Sequence, residues 1–381
     1  MTALYPLKLP ASLRPKIWGR RDLSPIFPAQ DEEIGEAWYS FEENTIANGP
    51  LAGQTLGELV EQLGPRLMGS SYEPSRLQRR SAGEAGQHAG PSPQFYFPLL
   101  SKLLFTSQHL SVQVHPDDTY AMAVEGGPGK TEMWHIVDAK PGAKLVVGLT
   151  RQMSHDELCR AAASGEIEKD LNWVPIEKGQ TLFIAPGTLH TIGAGLVICE
   201  IQQNSDLTYR FYDFGRRGTD GKPRPLHIEQ AAKVTRQEAH PGPLTPFRFR
   251  ASANRATRFQ RELLAACGYF AAERLSLSGE SLYEPDPERF HLLIFLEGSG
   301  TLKGGASMSN RTSESTAESS RAPSEDFWNR EDYKPGDAYL VPAECEPFQW
   351  QAKSATVALR SYVPDLAALR DEIKATGASS E

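Results

Sequence analysis

The sequence predicts a mostly β protein of two related β-barrel units with a small helical insertion. Three observations carry this: short apolar runs bounded by turn residues, glycine and proline spread along the chain, and a weak internal repeat. The runs at 110–115, 143–148, 181–185 and 196–201 are five to six residues long and rich in Val, Ile and Phe. That is strand length, and the pattern is that of antiparallel strands in a sandwich or barrel. The 32 glycines and 28 prolines of the 381-residue chain punctuate such runs throughout, as frequent turns require. The repeat lays residues 179–190 over 336–347, each reading turn glycine, apolar strand and proline-containing turn. Upstream of each copy, residues 134–142 and 292–298 also correspond.

Along the chain, residues 1–94 are expected to form N-terminal strands plus the helical insertion, packed on the first barrel. Helical spacing at Leu56, Leu59, Val60 and Leu63 places that insertion within 54–68. Residues 95–235 make the first barrel and 255–365 the second, with a tail helix in 366–381 from the pattern at 366–375. Within the first barrel, Ser154-His-Asp-Glu157 is a capping-box pattern that starts a helix over 154–164 with Ser154 at its N-cap. The segment 73–94, which includes Arg79-Arg80, and the Gly/Ser/Thr-rich segment 303–325 read as loops that cannot bury a core.

Composition excludes several classes. Lys and Arg number 40 against 48 Asp and Glu, a formal charge of −8 with no basic run, which speaks against a nucleic-acid binder. No stretch approaches the roughly 18 apolar residues of a membrane-crossing helix, so no membrane partner is expected. Residues 1–10 lack the apolar run of a secretory signal. Cys159, Cys199, Cys267 and Cys345 form no CxxC and read as reduced thiols. A cytoplasmic protein is the expectation.

Three segments supply metal-ligand chemistry. Gln113 and His115 stand at i and i+2 on one strand, so both face one side while Val112 and Val114 face the other. Glu132 follows the turn Glu125-Gly-Gly-Pro-Gly-Lys130, and His190 follows the Pro186-Gly187 turn. Two imidazoles, a carboxylate and an amide oxygen make a divalent-metal site with an open position, which suits catalysis. A lone strand histidine is more often structural, as His109 and His135 read here; the combination is what argues for metal. Glu200 and Gln202 share strand parity and can face the same cavity. Arg210 suits oxyanion stabilisation and is a poor base, although Asp206 and Asp213 are alternative ion-pair partners. Lys130 is a candidate proton carrier or phosphate partner. The choice of base is open on these grounds. Trp18, Trp38, Trp134 and Phe95-Tyr-Phe97 read as core.

Gln113-Val-His-Pro-Asp-Asp118, Gly129-Lys-Thr-Glu-Met-Trp134, Pro186-Gly-Thr-Leu-His190 and Glu200-Ile-Gln-Gln-Asn-Ser-Asp-Leu-Thr-Tyr-Arg-Phe-Tyr-Asp213 resemble the short bacterial mannose-6-phosphate isomerases, zinc-dependent cupins. The similarity runs from Trp18-Gly19 and Gly35-Glu-Ala-Trp38 to about Val234. It implies two cupin (jelly-roll β-barrel) units and one Zn2+ per chain on Gln113, His115, Glu132 and His190. It further implies Arg210, Lys130 and Glu200 in catalysis, and Lys102, Ser111 and Lys130 against a small-molecule phosphosugar. Proline stands one position later than usual in Ala185-Pro186-Gly187, which bears on turn geometry and not on ligation. In the second unit Pro347 falls at the His190 position and Phe290 or His291 at that of Glu132, so that unit is expected to hold no metal. The implied reaction is the mannose 6-phosphate to fructose 6-phosphate isomerisation. Another phosphosugar isomerase, or a non-catalytic sugar-binding cupin, is the alternative, the latter disfavoured by Arg210 and Lys130. Most of the acidic excess precedes residue 211, so capture of an anion falls to local cations and not to long-range steering. Oligomeric state is not legible.

Overall fold

The computed structural model describes residues 3–71, 97–218, 221–238, 240–249, 258–304 and 328–375. The expected loop at 73–94, with Arg79-Arg80, lies outside the described residues, as does nearly all of 303–325.

Two antiparallel sandwiches make up the protein. In the first, a six-stranded sheet runs in the order Ser12–Arg20, Ile34–Trp38, Leu99–Phe105, Leu196–Gln203, Glu132–Ala139, Thr181–Ile184. It faces a five-stranded sheet ordered Tyr209–Tyr212, Val112–Val114, His190–Ile192, Lys144–Leu149, Leu171–Pro175. In the second, Leu7–Leu9, Ala338–Val341, His291–Glu297, Thr356–Tyr362, Ala271–Ser278, Arg258–Ala266 and Phe247–Arg248 form a seven-stranded sheet. The strands Glu280–Tyr283, Phe348–Ala352, Gly300–Lys303 and Arg330–Tyr333 form its four-stranded partner. The internal repeat is therefore topological. Thr181–Ile184 and Ala338–Val341 occupy equivalent places, and Gly179 and Gly336 turn into them at φ of 88° and 86°, a region open to glycine.

The six-stranded sheet is covered on both faces, so Leu99–Phe105 and Leu196–Gln203 are buried at every position. Alternate residues go to different cores. Leu104, Trp134, Ile136, Leu182, Ile184 and Ile198 point inward and meet Leu145, Val147 and Ile192 of the facing sheet. Leu103, Phe105, Met133, Val137, Val197 and Ile201 point outward into the core shared with the second sandwich. Each such buried side chain contributes about 1.5–3 kcal/mol.

The first 71 residues divide between the two sandwiches, where packing on the first alone was expected. Leu7–Leu9 pairs with Ala338–Val341, Leu7 opposite Leu340, and so covers an edge of the seven-stranded sheet that would otherwise lie open. Helix Leu56–Leu63 begins at a Thr55/Glu58 capping box and buries Leu56, Leu59 and Val60. A break at Gly64 follows, then a turn of helix, Pro65–Met68, whose Leu67 and Met68 carbonyls accept bonds from Ala343 and Phe290 of the second unit. Helix His155–Ser164 has the expected capping box, and Leu366–Ala375 is the C-terminal helix. Helices Asp118–Val124 and Ile228–Val234 were not foreseen, since seven residues are too few for the helical period to declare itself.

Candidate active site

The inner face of the six-stranded sheet changes character along its length. At one end Leu104, Ile136 and Ile198 close the core; further along the same strands stand Lys102, Glu200, Gln202, Trp134 and Glu132. Register fixes their neighbours: Glu200 lies opposite Lys102 and Trp134, and Gln202 opposite Glu132. From the facing sheet Gln113 lies opposite both His190 and Arg210. Val112 and Val114 join the core outside that sheet, so Gln113 and His115 point inward, as their spacing required.

Two glycines let the segments that carry His115, Glu132 and His190 meet. A Cβ on Gly129 would lie 2.5 Å from the Asp117 carbonyl carbon and from the Pro116 oxygen. This close approach allows the Lys130 N–H to bond the Pro116 carbonyl at 3.1 Å, which docks the Lys130–Glu132 segment beside His115. Gly187, at φ +85°, donates its N–H to the His115 carbonyl at 2.8 Å. The shifted proline leaves an ordinary turn, with Thr188 N–H bonded to Ala185 O at 3.1 Å.

His115 and His190 both have their tautomer set by the backbone. His115 Nδ1 lies 2.9 Å from the Leu207 carbonyl and His190 Nδ1 2.9 Å from that of Thr188. A carbonyl only accepts, so Nδ1 carries the proton and Nε2 offers a lone pair. These Nε2 atoms stand 3.7 Å and 3.4 Å from the two Glu132 oxygens. His115, Glu132 and His190 are all buried, with donor atoms within 4.8 Å of one another. His115 Nε2 and both Glu132 oxygens have no hydrogen-bond partner among the described residues, the Lys130 ion pair apart. Buried lone pairs facing one another without a proton between them are costly, and a cation at their centre satisfies them all. The donor set fits a divalent metal of the imidazole-binding class. Gln113 Nε2 is placed 3.2 Å from His190 Nε2; turning the amide over presents its oxygen as a fourth donor, since the two ends are assigned from their partners.

Beside the cluster lies a compact set of charges. Lys130 Nζ is 2.7 Å from Glu132 and 3.9 Å from Glu200; Lys102 Nζ is 3.7 Å from Glu200 and 3.4 Å from Asp206. The indole N–H of Trp134 donates to the other Glu200 oxygen at 3.0 Å, and the Trp38 ring lies 4.3 Å from Lys102 Nζ. Burial works against the Lys130 charge, but Glu132 and Glu200 outweigh it and hold the ammonium above its ordinary pKa. Burial likewise opposes the Glu132 charge, and the Lys130 ammonium outweighs it, so its carboxyl titrates well below the usual range. At Glu200 burial wins over Lys130 and the pKa is raised. Burial, then His115, push His190 down to about 3.

The structure thus brings together Gln113, His115, Glu132, His190, Lys130, Glu200 and Lys102. Arg210 borders Gln113 across the strand pair, with Nη1 donating to the Pro225 carbonyl at 3.0 Å. Neither alternative partner holds it: Asp213 binds Arg216 and Arg224, and Asp206 binds Lys102. Ser111 is buried immediately before the strand that carries Gln113. Trp134, read as core, is also a site residue; its i+2 relation to Glu132 was the available signal. Gln202, buried opposite Glu132 with an unpartnered Oε1, belongs here too. A supporting set had no sequence signal. Asp118 accepts from Gly129 N–H at 2.8 Å, Gln203 Nε2 at 3.1 Å and Tyr269 O–H at 2.8 Å, the last from the second unit. Gln203 Oε1 in turn accepts the Thr131 N–H at 2.8 Å, so Lys130 is held from both sides.

In the second unit His291 stands where Glu132 does, each starting a strand and pairing with the last residue of its neighbour, Val341 or Ile184. His291 Nδ1 bonds Tyr283 at 2.9 Å. The Glu200 place is taken by Arg360, ion-paired to buried Glu273.

No protein-family model matches the chain. The chain is 37% identical over 235 residues to a mannose-6-phosphate isomerase of Streptococcus mutans, covering 60% of this chain and 67% of the relative. It is 32% identical over 307 residues to a mannose-6-phosphate isomerase of Bacillus subtilis, covering 79% and 88%. Among solved structures, a mannose 6-phosphate isomerase from Bacillus subtilis superposes with a TM-score of 0.73 at 28% identity, covering 94% of this chain and 99% of that one. A mutant phosphomannose isomerase from Salmonella typhimurium gives 0.65 at 16% identity over 94% and 100%, a likeness of fold.

Proposed function

We propose, from the premise that the chain belongs to the mannose-6-phosphate isomerase family, that it interconverts D-mannose 6-phosphate and D-fructose 6-phosphate with one zinc ion per chain. The observation that carries this is the buried His115–Glu132–His190 cluster with its unpartnered donor atoms, set beside two buried lysines. His115, Glu132 and His190, with the Gln113 amide oxygen, would hold the ion. Bound there, it supplies Lewis-acid polarisation of the sugar oxygens, worth several kcal/mol at developing enolate charge.

The reaction moves one proton between C1 and C2 through an enediol. Glu200 is the proposed proton carrier. One of its oxygens is fixed by Trp134, the other makes no hydrogen bond among the described residues and faces both lysines, and its raised pKa suits a group that must both take and return a proton. Lys130, kept charged by Glu132 and Glu200, serves as a fixed cation toward the oxyanion or phosphate. Arg210, with no carboxylate partner among the described residues, stabilises developing negative charge. Lys102 and Ser111 are assigned to the phosphate, where Lys102 would exchange Asp206 for the substrate.

A coupled assay on purified protein with a panel of aldose and ketose 6-phosphates, before and after chelation, tests the reading. Chelator-sensitive turnover of mannose 6-phosphate is expected, restored by one zinc per chain. Turnover of glucose 6-phosphate alone would remove the mannose assignment, and chelator-insensitive turnover would remove the metal.

A further inference from the structure

We propose that a second divalent-cation site, separate from the buried centre, lies on the surface between helices His155–Ser164 and Ile228–Val234. Its ligands are His155, Cys159 and Glu229, and its occupant is zinc or another thiophilic divalent ion. His155 and Cys159 stand four residues apart on one helix, so they share a face one turn apart. Glu229 lies in the first turn of the other helix. The helices can approach because small residues line their contact: Ala161, Ala162, Ala231 and Ala232 share one buried cluster.

The donor atoms of the three residues lie within 4.8 Å of one another. Cys159 Sγ is 4.0 Å from His155 Nδ1, while Glu229 Oε2 is 3.5 Å from the other ring nitrogen, Nε2, so one of the two nitrogens ligates and the ring turns to share it between both partners. In a tetrahedral site with bonds of about 2.0–2.3 Å, neighbouring donors stand roughly 3.3–3.8 Å apart. From a separation of up to 4.8 Å, the side chains therefore need to close by about 1–1.5 Å at most. His155 and Glu229, 47% and 75% exposed, are free to make that adjustment. Thiolate, imidazole and carboxylate together select zinc, cobalt or cadmium over magnesium or calcium, and leave the fourth position to water.

An ion there would also act on the strand that carries Arg210. His227, directly before the Glu229 helix, accepts the Arg210 N–H on its Nδ1 at 3.1 Å and donates its own N–H to the Arg210 carbonyl at 2.7 Å. Fastening this helix to its neighbour braces the Arg210 backbone from behind.

The buried centre contains no sulfur, so thiolate-to-cobalt charge transfer reports the outer site alone. Full-length, chelator-stripped protein titrated with cobalt(II) is expected to develop that near-ultraviolet absorption and to bind two ions per chain. Cys159→Ser should abolish the absorption and leave one bound ion, and retention of that buried ion with an unchanged far-ultraviolet circular dichroism spectrum shows that the variant is folded. Glu229→Gln should weaken the cobalt affinity read from the absorption at least tenfold. Absence of the absorption in the native protein, or its survival in Cys159→Ser, would overturn the proposal.

Discussion

Glu132→Gln probes the balance of buried charge at the site. Lys102, Lys130, Glu132 and Glu200 are each 5% exposed or less and sum to zero, the two histidines beside them being neutral. The amide keeps the shape of the carboxylate and removes its charge. Lys130 is then left with Glu200 alone, at 3.9 Å and shared with Lys102 at 3.7 Å. Removing one member of a buried pair costs about 3–5 kcal/mol. At about 2–4 °C per kcal/mol, the metal-free variant should melt about 6–20 °C below the metal-free parent. Adding Lys130→Met removes the stranded ammonium and restores neutrality, so the double variant should regain at least half of that loss. Neither variant should retain metal. Thermal unfolding at neutral pH on chelator-treated proteins, with elemental analysis, measures both effects. A single-variant loss under about 1 kcal/mol, or a double variant no more stable than the single, would refute the balance argument.

Four buried histidines predict acid sensitivity of the metal-free protein. His115 and His291 are lowered and His135 and His190 fall to about 3, in each case first by burial. Folded values below the unfolded 6.5 mean that the unfolded chain binds more protons. Stability is therefore full above about pH 6.5 and falls as pH drops toward 3, by up to about 1.4 kcal/mol per pH unit for each histidine. His135→Gln should lessen the slope of stability against pH by about one such share; an unchanged slope would contradict the assignment. Arg210→Ala should retain stoichiometric metal while kcat falls by about 100-fold or more, and near-normal kcat would remove it from the site. His190→Ala should lose the metal outright, which elemental analysis reads directly. Asp118→Ala should lower kcat at least about tenfold with the fold intact, and Asp118→Asn, which keeps one acceptor, should recover part; equal activity in both would show that the Lys130 segment needs no such support.

Much of the site was legible because strand geometry is local. The i, i+2 spacing of Gln113 and His115 dictated a shared face, and the same parity joined Glu200 to Gln202. It would equally have joined Trp134 to Glu132, but an indole in a short strand reads as core until its N–H is seen to meet Glu200. The capping box at Ser154 and the apolar spacing from Leu56 to Leu63 were also local signals, and both produced helices where expected.

What needed the tertiary structure was everything set by contacts between distant segments. Leu7–Leu9 has no feature that tells it to pair with Ala338–Val341, because edge pairing depends on which edge the rest of the fold leaves open. Tyr269 reaches Asp118 across the two units at a separation in sequence that no periodicity spans. The chain by itself determined two β units, the residue types of a metal centre and the faces on which they stand. Only the packed fold decided which nitrogen of each histidine is free, how four buried charges cancel, and that His155, Cys159 and Glu229 converge. Those outcomes rest on backbone carbonyls, burial and neighbouring charges supplied by segments far apart in sequence, and such interactions exist only once the sheets have closed on one another.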